Sequence, residues 1–235
     1  MLIEPIEDSR AEALPRRVES ASGLFAWGLP KLTGNTRLAV WGECAGLFLI
    51  LPLLAIFFEA RLFIPVTIGA MLSSAVILLS MTRNFHWGDL LPVDPFSEWR
   101  VVAGFAILFS TLAVAARAVL APEATMGVDL ALAPMLLAFP FLTAAPMELI
   151  HRVLFFRRFG HLFPGESSAL IFGAASNALV YFMLSGAPVG AFFGAFVGVC
   201  VGWTYLRTGQ FMISVIVHWL AAICVFALGP GFLIG

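Results

Sequence analysis

The sequence predicts an all-α fold, a polytopic transmembrane bundle of about seven spans. Only 11% of its 235 residues are charged and 61% are hydrophobic, with a mean hydropathy of +0.99, whereas a soluble domain carries roughly a quarter charged residues. The apolar residues also fall into runs of the length a helix needs to cross a hydrocarbon core, roughly 20 residues. The net charge of −1 and the absence of a basic patch interleaved with aromatics give no footprint for nucleic acid. Cys44, Cys200 and Cys224 lie in apolar stretches without metal-ligand spacing, so they read as small core residues, and neither metal nor cofactor is expected.

Residues 1–37 form an expected cytoplasmic tail. They mix Glu4, Glu7, Asp8 and Glu12 with Arg10, Arg16 and Arg17, which is too polar for a cleavable signal peptide, so the first span is expected to act as an uncleaved signal. Within the tail, 23–30 is apolar enough to lie on a membrane surface, with Phe25 and Trp27 at headgroup level. The membrane domain is then 38–235. Its spans are expected at about 38–58, 62–81, 101–121, 130–152, 167–184, 188–206 and 211–228. Glu43, in the first turns of the first span, reads as an interfacial carboxylate that stays hydrated. The connection 82–100, with Trp87, Pro92, Pro95 and Trp99, reads as aromatic and interfacial.

Orientation follows from the basic residues. An N-terminus inside places Arg10, Arg16, Arg17, Lys31, Arg37, Arg83, Arg100, Arg152, Arg157, Arg158 and Arg207 on the cytoplasmic side, and leaves Arg61 and Arg117 on the other. Eleven against two supports an odd number of spans.

Within the fourth span, the eighteen residues from Leu130 to Met147 carry no charge, and then Glu148, His151 and Arg152 arrive together. At spacings of three and four, all three would share one face of an α-helix. Ionisable groups at membrane depth are costly unless paired or hydrated, which makes the cluster a candidate functional site. The structural alternative is that Glu148 and Arg152 neutralise each other and pin helix packing. Pro140 and Pro146 each remove a helical hydrogen bond and free a backbone carbonyl near the cluster. In the fifth span the polar content is Ser176, Asn177 and Tyr181, with Ser176 and Asn177 read as helix-to-helix hydrogen bonding. In the sixth, Gly190, Gly194, Gly198 and Gly202 recur every four residues, laying bare backbone along one face for close helix contact. His218 sits near the middle of the seventh.

Four stretches carry a family resemblance: Pro146–Phe159, Leu170–Ser176 with Phe172 four residues before Ser176, Gly202–Gln210 with its Trp203, Tyr205, Arg207, Thr208 and Gly209, and Ile213–Trp219. In this order they resemble the motifs of the CPBP family, the CAAX-prenyl proteases and bacteriocin-processing (Abi) proteins, over about 146–222. The resemblance implies a membrane-embedded CAAX-protease-like bundle in a bacterial plasma (inner) membrane. It also implies an intramembrane endopeptidase site in which a glutamate doublet, an arginine, two histidines and an asparagine act together. In this chain Glu148, Arg152 and His218 keep family positions. Met147 stands where the first glutamate is expected, Ser176 where the second-motif histidine is expected, and Ala222 where the last-motif asparagine is expected. His151 is an additional imidazole.

Hydrolysis needs a base within hydrogen-bond reach of a water, together with donors for the oxyanion. Methionine accepts no proton, and a serine without a partnered base generates no hydroxide at neutral pH. The expectation is therefore a degenerate-site family member that binds membrane lipids and a membrane-protein or lipidic-peptide partner. Its rivals are a working endopeptidase built on a Glu148–His218 or Glu148–His151 dyad, and a small-molecule transporter.

Overall fold

The computed structural model describes residues 34–58, 63–82, 85–91, 98–120 and 133–228. The interfacial reading of 23–30 and the loop residues 92–97 lie outside them. Among the described residues all regular structure is helical. Seven helices follow in chain order: α1 (34–57), α2 (Phe63–Ser80), α3 (Trp99–Leu120), α4 (133–159), α5 (Glu166–Ser185), α6 (Pro188–Thr208) and α7 (Phe211–Leu228). Five are long and apolar enough to cross a membrane. Apolar helix in Ile64–Ser80 and Phe211–Val225 is shorter.

Helix α4 is the hub, touching α1, α2, α5, α6 and α7, while α3 packs chiefly on α7. Its first residues, rich in Ala, Leu, Met and Phe, favour helix, but Pro140 supplies no N–H. The helix widens there to i→i+5 bonding over Pro140–Ala144, with the Ala145 N–H on the Pro140 carbonyl. It widens again over Leu149–Phe159. Such wide turns are rare and tend to mark functional or strained positions.

The carbonyls freed by Pro140 and Pro52 have identifiable partners. Leu136, four residues before Pro140, accepts a hydrogen bond from the Trp219 indole of α7 at 2.9 Å. In α1, Pro52 follows another widened turn, Gly46–Ile50. The carbonyl four residues back, that of Phe48, accepts from the Ser176 hydroxyl of α5 at 3.1 Å. An unmatched carbonyl in hydrocarbon is costly, so Pro140 and Pro52 are each coupled to one donor on another helix.

The end of α4 differs from the sequence expectation. The fourth span is expected to stop near Arg152, yet the helix runs on to Phe159, just past Arg157 and Arg158. Val153, Leu154, Phe155, Phe156 and Phe159 are all buried, and that apolar surface is removed from lipid only if the segment stays helical between α1, α2 and α5. The two arginines are neutralised in place. Arg158 donates twice to Glu43 Oε2, at 3.0 Å from Nε and 2.8 Å from Nη2, and Arg157 meets Asp89 at 3.1 Å. Asp89 belongs to the short 3-10 turn Trp87–Leu90 between α2 and α3, where Trp87 stands edge-on to Phe85 at 5.1 Å. Glu43 thus ties α1 to α4 across 115 residues of sequence.

Arg152 needs the second correction: it is 1% exposed and belongs to the interior, so it leaves the loop-charge count, and ten basic residues remain against two.

Helices α5 and α6 form the most extensive helix pair. Gly186 (φ +69°) closes α5 with its N–H on the Phe182 carbonyl, and only Ala187 then separates it from α6. Gly209 (φ +66°) closes α6 in the same left-handed way, against Tyr205. The glycine stripe of α6 faces α5. A Cβ at Gly194 would lie 2.5 Å from Tyr181 Cβ, and one at Gly198 would lie 2.9 Å from the Ala174 Cα, in backbone.

Candidate functional site

Glu148 is fully buried at the centre of the bundle. Its Oε1 lies 2.7 Å from His218 Nδ1, and its Oε2 lies 3.2 Å from Arg152 Nε one turn along α4. The Arg152 guanidinium then donates from Nη1 to the His151 carbonyl at 3.0 Å and from Nη2 to the Gly198 carbonyl at 3.2 Å. The His218 ring continues outward, with Nε2 2.8 Å from the Tyr181 hydroxyl. With its proton on Nδ1, His218 donates to the carboxylate and accepts from the phenol. The result is a chain of side chains, Arg152–Glu148–His218–Tyr181, drawn from α4, α7 and α5.

Local structure dictates this assembly. Gly202 has no side chain: a Cβ there would stand 2.6 Å from Leu170 Cδ1 of α5, and the Arg152 guanidinium lies at ordinary contact distance from the same position, its Cζ 3.9 Å away. Gly198 and Gly194 each offer a carbonyl on the face that lacks Cβ atoms; Asn177 takes the Gly194 carbonyl at 2.7 Å. The glycine spacing therefore does more than permit helix approach: it presents backbone acceptors to polar side chains of α4 and α5.

His151 is separate. The widened turn from Leu149 onward alters the angular step per residue, which keeps Arg152 with Glu148 and carries His151 away. Its Nδ1 lies 3.2 Å from the Met147 carbonyl, and its ring stands edge-on to Phe48 at 5.5 Å. The structure thus does not bring together the Glu148–His151 dyad that α-helical spacing suggests. Met147, Ser176 and Ala222 are all buried, and Ser176 is engaged with the Phe48 carbonyl.

The sequence reading left Tyr181 out of the candidate site. The available signal was weak: a lone phenol in an otherwise apolar stretch, four residues after Asn177 and on the helix that faces the glycine stripe. Among the described residues no group of three or more His, Cys, Asp or Glu is arranged to hold a metal ion.

The helices and the buried ionisable core define an integral membrane protein with a polar site sealed between its spans. Residues 129–224 match the family model described as type II CAAX prenyl endopeptidase Rce1-like, the same family whose motifs this stretch resembles. No curated protein and no solved structure matches the chain.

The coupling of Ser176 to Pro52 is testable by stability. Ser176→Ala leaves the Phe48 carbonyl without its donor and is expected to cost about 1–3 kcal/mol. In a Pro52→Ala background the restored N–H can serve that carbonyl, so the same substitution should cost much less. Equal costs in both backgrounds, from thermal or chemical melts in detergent, would refute the pairing.

Proposed function

We propose that this CAAX-protease-like membrane protein is non-hydrolytic and uses its bundle to hold a membrane-protein or lipidic-peptide partner. One observation carries the reading: the ionisable groups that survive from the family motifs are occupied by one another. Glu148 faces a guanidinium and an imidazole, and His218 is engaged at both nitrogens. A general base needs a lone pair directed at a water, and Met147 and Ser176 supply none. The test is cleavage of a fluorogenic prenylated peptide by the protein in liposomes. Release no faster than with Glu148→Gln is expected. Cleavage lost in Glu148→Gln at unchanged thermal stability would overturn the proposal. For the partner, mild-detergent purification from the native membrane should yield a stoichiometric complex, and a homogeneous unaccompanied chain would count against it.

A second reading, an active endopeptidase, is favoured by the 2.7 Å contact between Glu148 and His218. Glu148 would act as base with His218 in support, and the same cleavage assay decides.

The proposed orientation keeps the N-terminus in the cytoplasm. It is supported by the basic residues at the starts of α1 and α3 and the ends of α4 and α6, namely Arg37, Arg100, Arg157, Arg158 and Arg207. Reporter fusions at Arg83 and Gly160 should then read cytoplasmic and those at Glu123 and Ala187 the opposite. A cytoplasmic signal at Glu123 would reverse the assignment.

A further inference from the structure

We infer that the groove between α3 and α6 is a binding site for one anionic phospholipid, with Arg100 holding its phosphate. The groove has a volume of about 400 Å³ and is lined by Arg100, Val101, Gly104, Phe105, Leu108 and Trp203. Its walls are apolar, and its single charge is at the end of the bundle where α3 begins. A Cβ at Gly104 would meet nothing within 4 Å, so this glycine leaves the groove open without being needed for helix contact. Phe105 and Trp203, 6.1 Å apart and edge-on, form its floor.

Charge and length together favour a lipid over other occupants. Among the described residues Arg100 has no carboxylate within ion-pair distance. Its guanidinium lies 5.7 Å from the Trp99 ring centroid, and Trp99 and Trp203 are both exposed. Exposed tryptophans beside a cation mark headgroup depth. From Trp203 an exposed apolar stripe runs down α6 through Val199 and Phe196 to Phe192. Those residues span about 16 Å of helix, which suits an acyl chain. A smaller hollow on the other side of Trp203 carries both Arg207 and Glu166 and so favours neither sign of charge. Of these two hollows, the Arg100 groove is the one that combines a lone cation with an apolar channel, which is the complement of an anionic head and its tail.

Native mass spectrometry after equilibration with phosphatidylglycerol and phosphatidylcholine of matched chains tests this. One phosphatidylglycerol should be retained in preference. Arg100→Gln should reduce that preference about fivefold, the effect of one basic residue at a lipid surface, and Arg100→Lys should recover most of it. Gly104→Phe should lower retention of both lipids, and Arg37→Gln, at the same end but outside the groove, should change nothing. Each variant is first checked for unchanged elution and melting. If Gly104→Phe fails that check, the arginine series decides alone. Equal retention of the two lipids, loss of preference in Arg37→Gln but not in Arg100→Gln, or cross-linking of Gly104→Cys between two copies with the lipid absent would each overturn the inference.

Discussion

Glu148→Gln is expected to destabilise the protein in detergent by about 3–5 kcal/mol, because it removes one partner of a buried ion pair and leaves the other charged. Arg152 keeps its hydrogen bonds to the His151 and Gly198 carbonyls in this variant, but no negative charge remains beside it. Glu148→Gln with Arg152→Met removes both charges and should recover much of the loss. The neutral pair still offers His218 an amide oxygen at position 148, so the imidazole need not be orphaned. A single substitution that melts like the unaltered protein, or a double one no better than the single, would show that the pair is not the centre of the core's stability. This result is independent of any cleavage assay, so it separates structural weight from catalytic use.

Gly198→Leu should be at least as damaging and should lower the yield of folded protein outright. The first atom added meets the Ala174 Cα at 2.9 Å and the Asn177 Cβ at 3.1 Å. Backbone cannot rotate aside, so α5 and α6 must separate, whereas ordinary overpacking of a core costs about 1–3 kcal/mol. Separation also draws the Gly198 carbonyl away from Arg152 and the Gly194 carbonyl away from Asn177. Gly69→Leu is the control, since a Cβ there meets nothing within 4 Å. Normal purification and melting of Gly198→Leu would remove the basis for the helix contact described here.

Much of the fold was legible because hydrophobic run length is a local property: the charge-poor stretches mark the helices and the turn residues mark their ends. Glu148 and Arg152 were legible as a pair because both lie on one helix, four residues apart. The remainder of the site depends on distances that no local spacing encodes. His218 meets Glu148 across 70 residues, and Tyr181 meets His218 across 37. The place of His151 was misread because an α-helical step was assumed where the backbone is wound more widely. The end of α4 was set too early, near Arg152, because a run that turns charged looks finished until the partners of Arg157 and Arg158, Asp89 and Glu43, are brought in from elsewhere in the fold. Pro52 carried a readable clue, a missing N–H, but its donor Ser176 is distant in sequence.

The placement of both charges of the central pair on α4 has a consequence for how the protein enters its membrane. A lone carboxylate or guanidinium at the middle of a span costs about 2.5–3.5 kcal/mol on insertion. Here the two can close on each other within one helical turn as soon as α4 is wound, so the segment can leave the insertion machinery with no net charge at its polar centre. His218 reaches Glu148 only when α7, the last of the seven described helices to be made, docks against the helices that precede it. Assembly of the polar core is therefore expected in two stages, and α4 without α7 should insert. Moving the arginine from α4 to another helix should impair insertion even if the finished bundle could accommodate it.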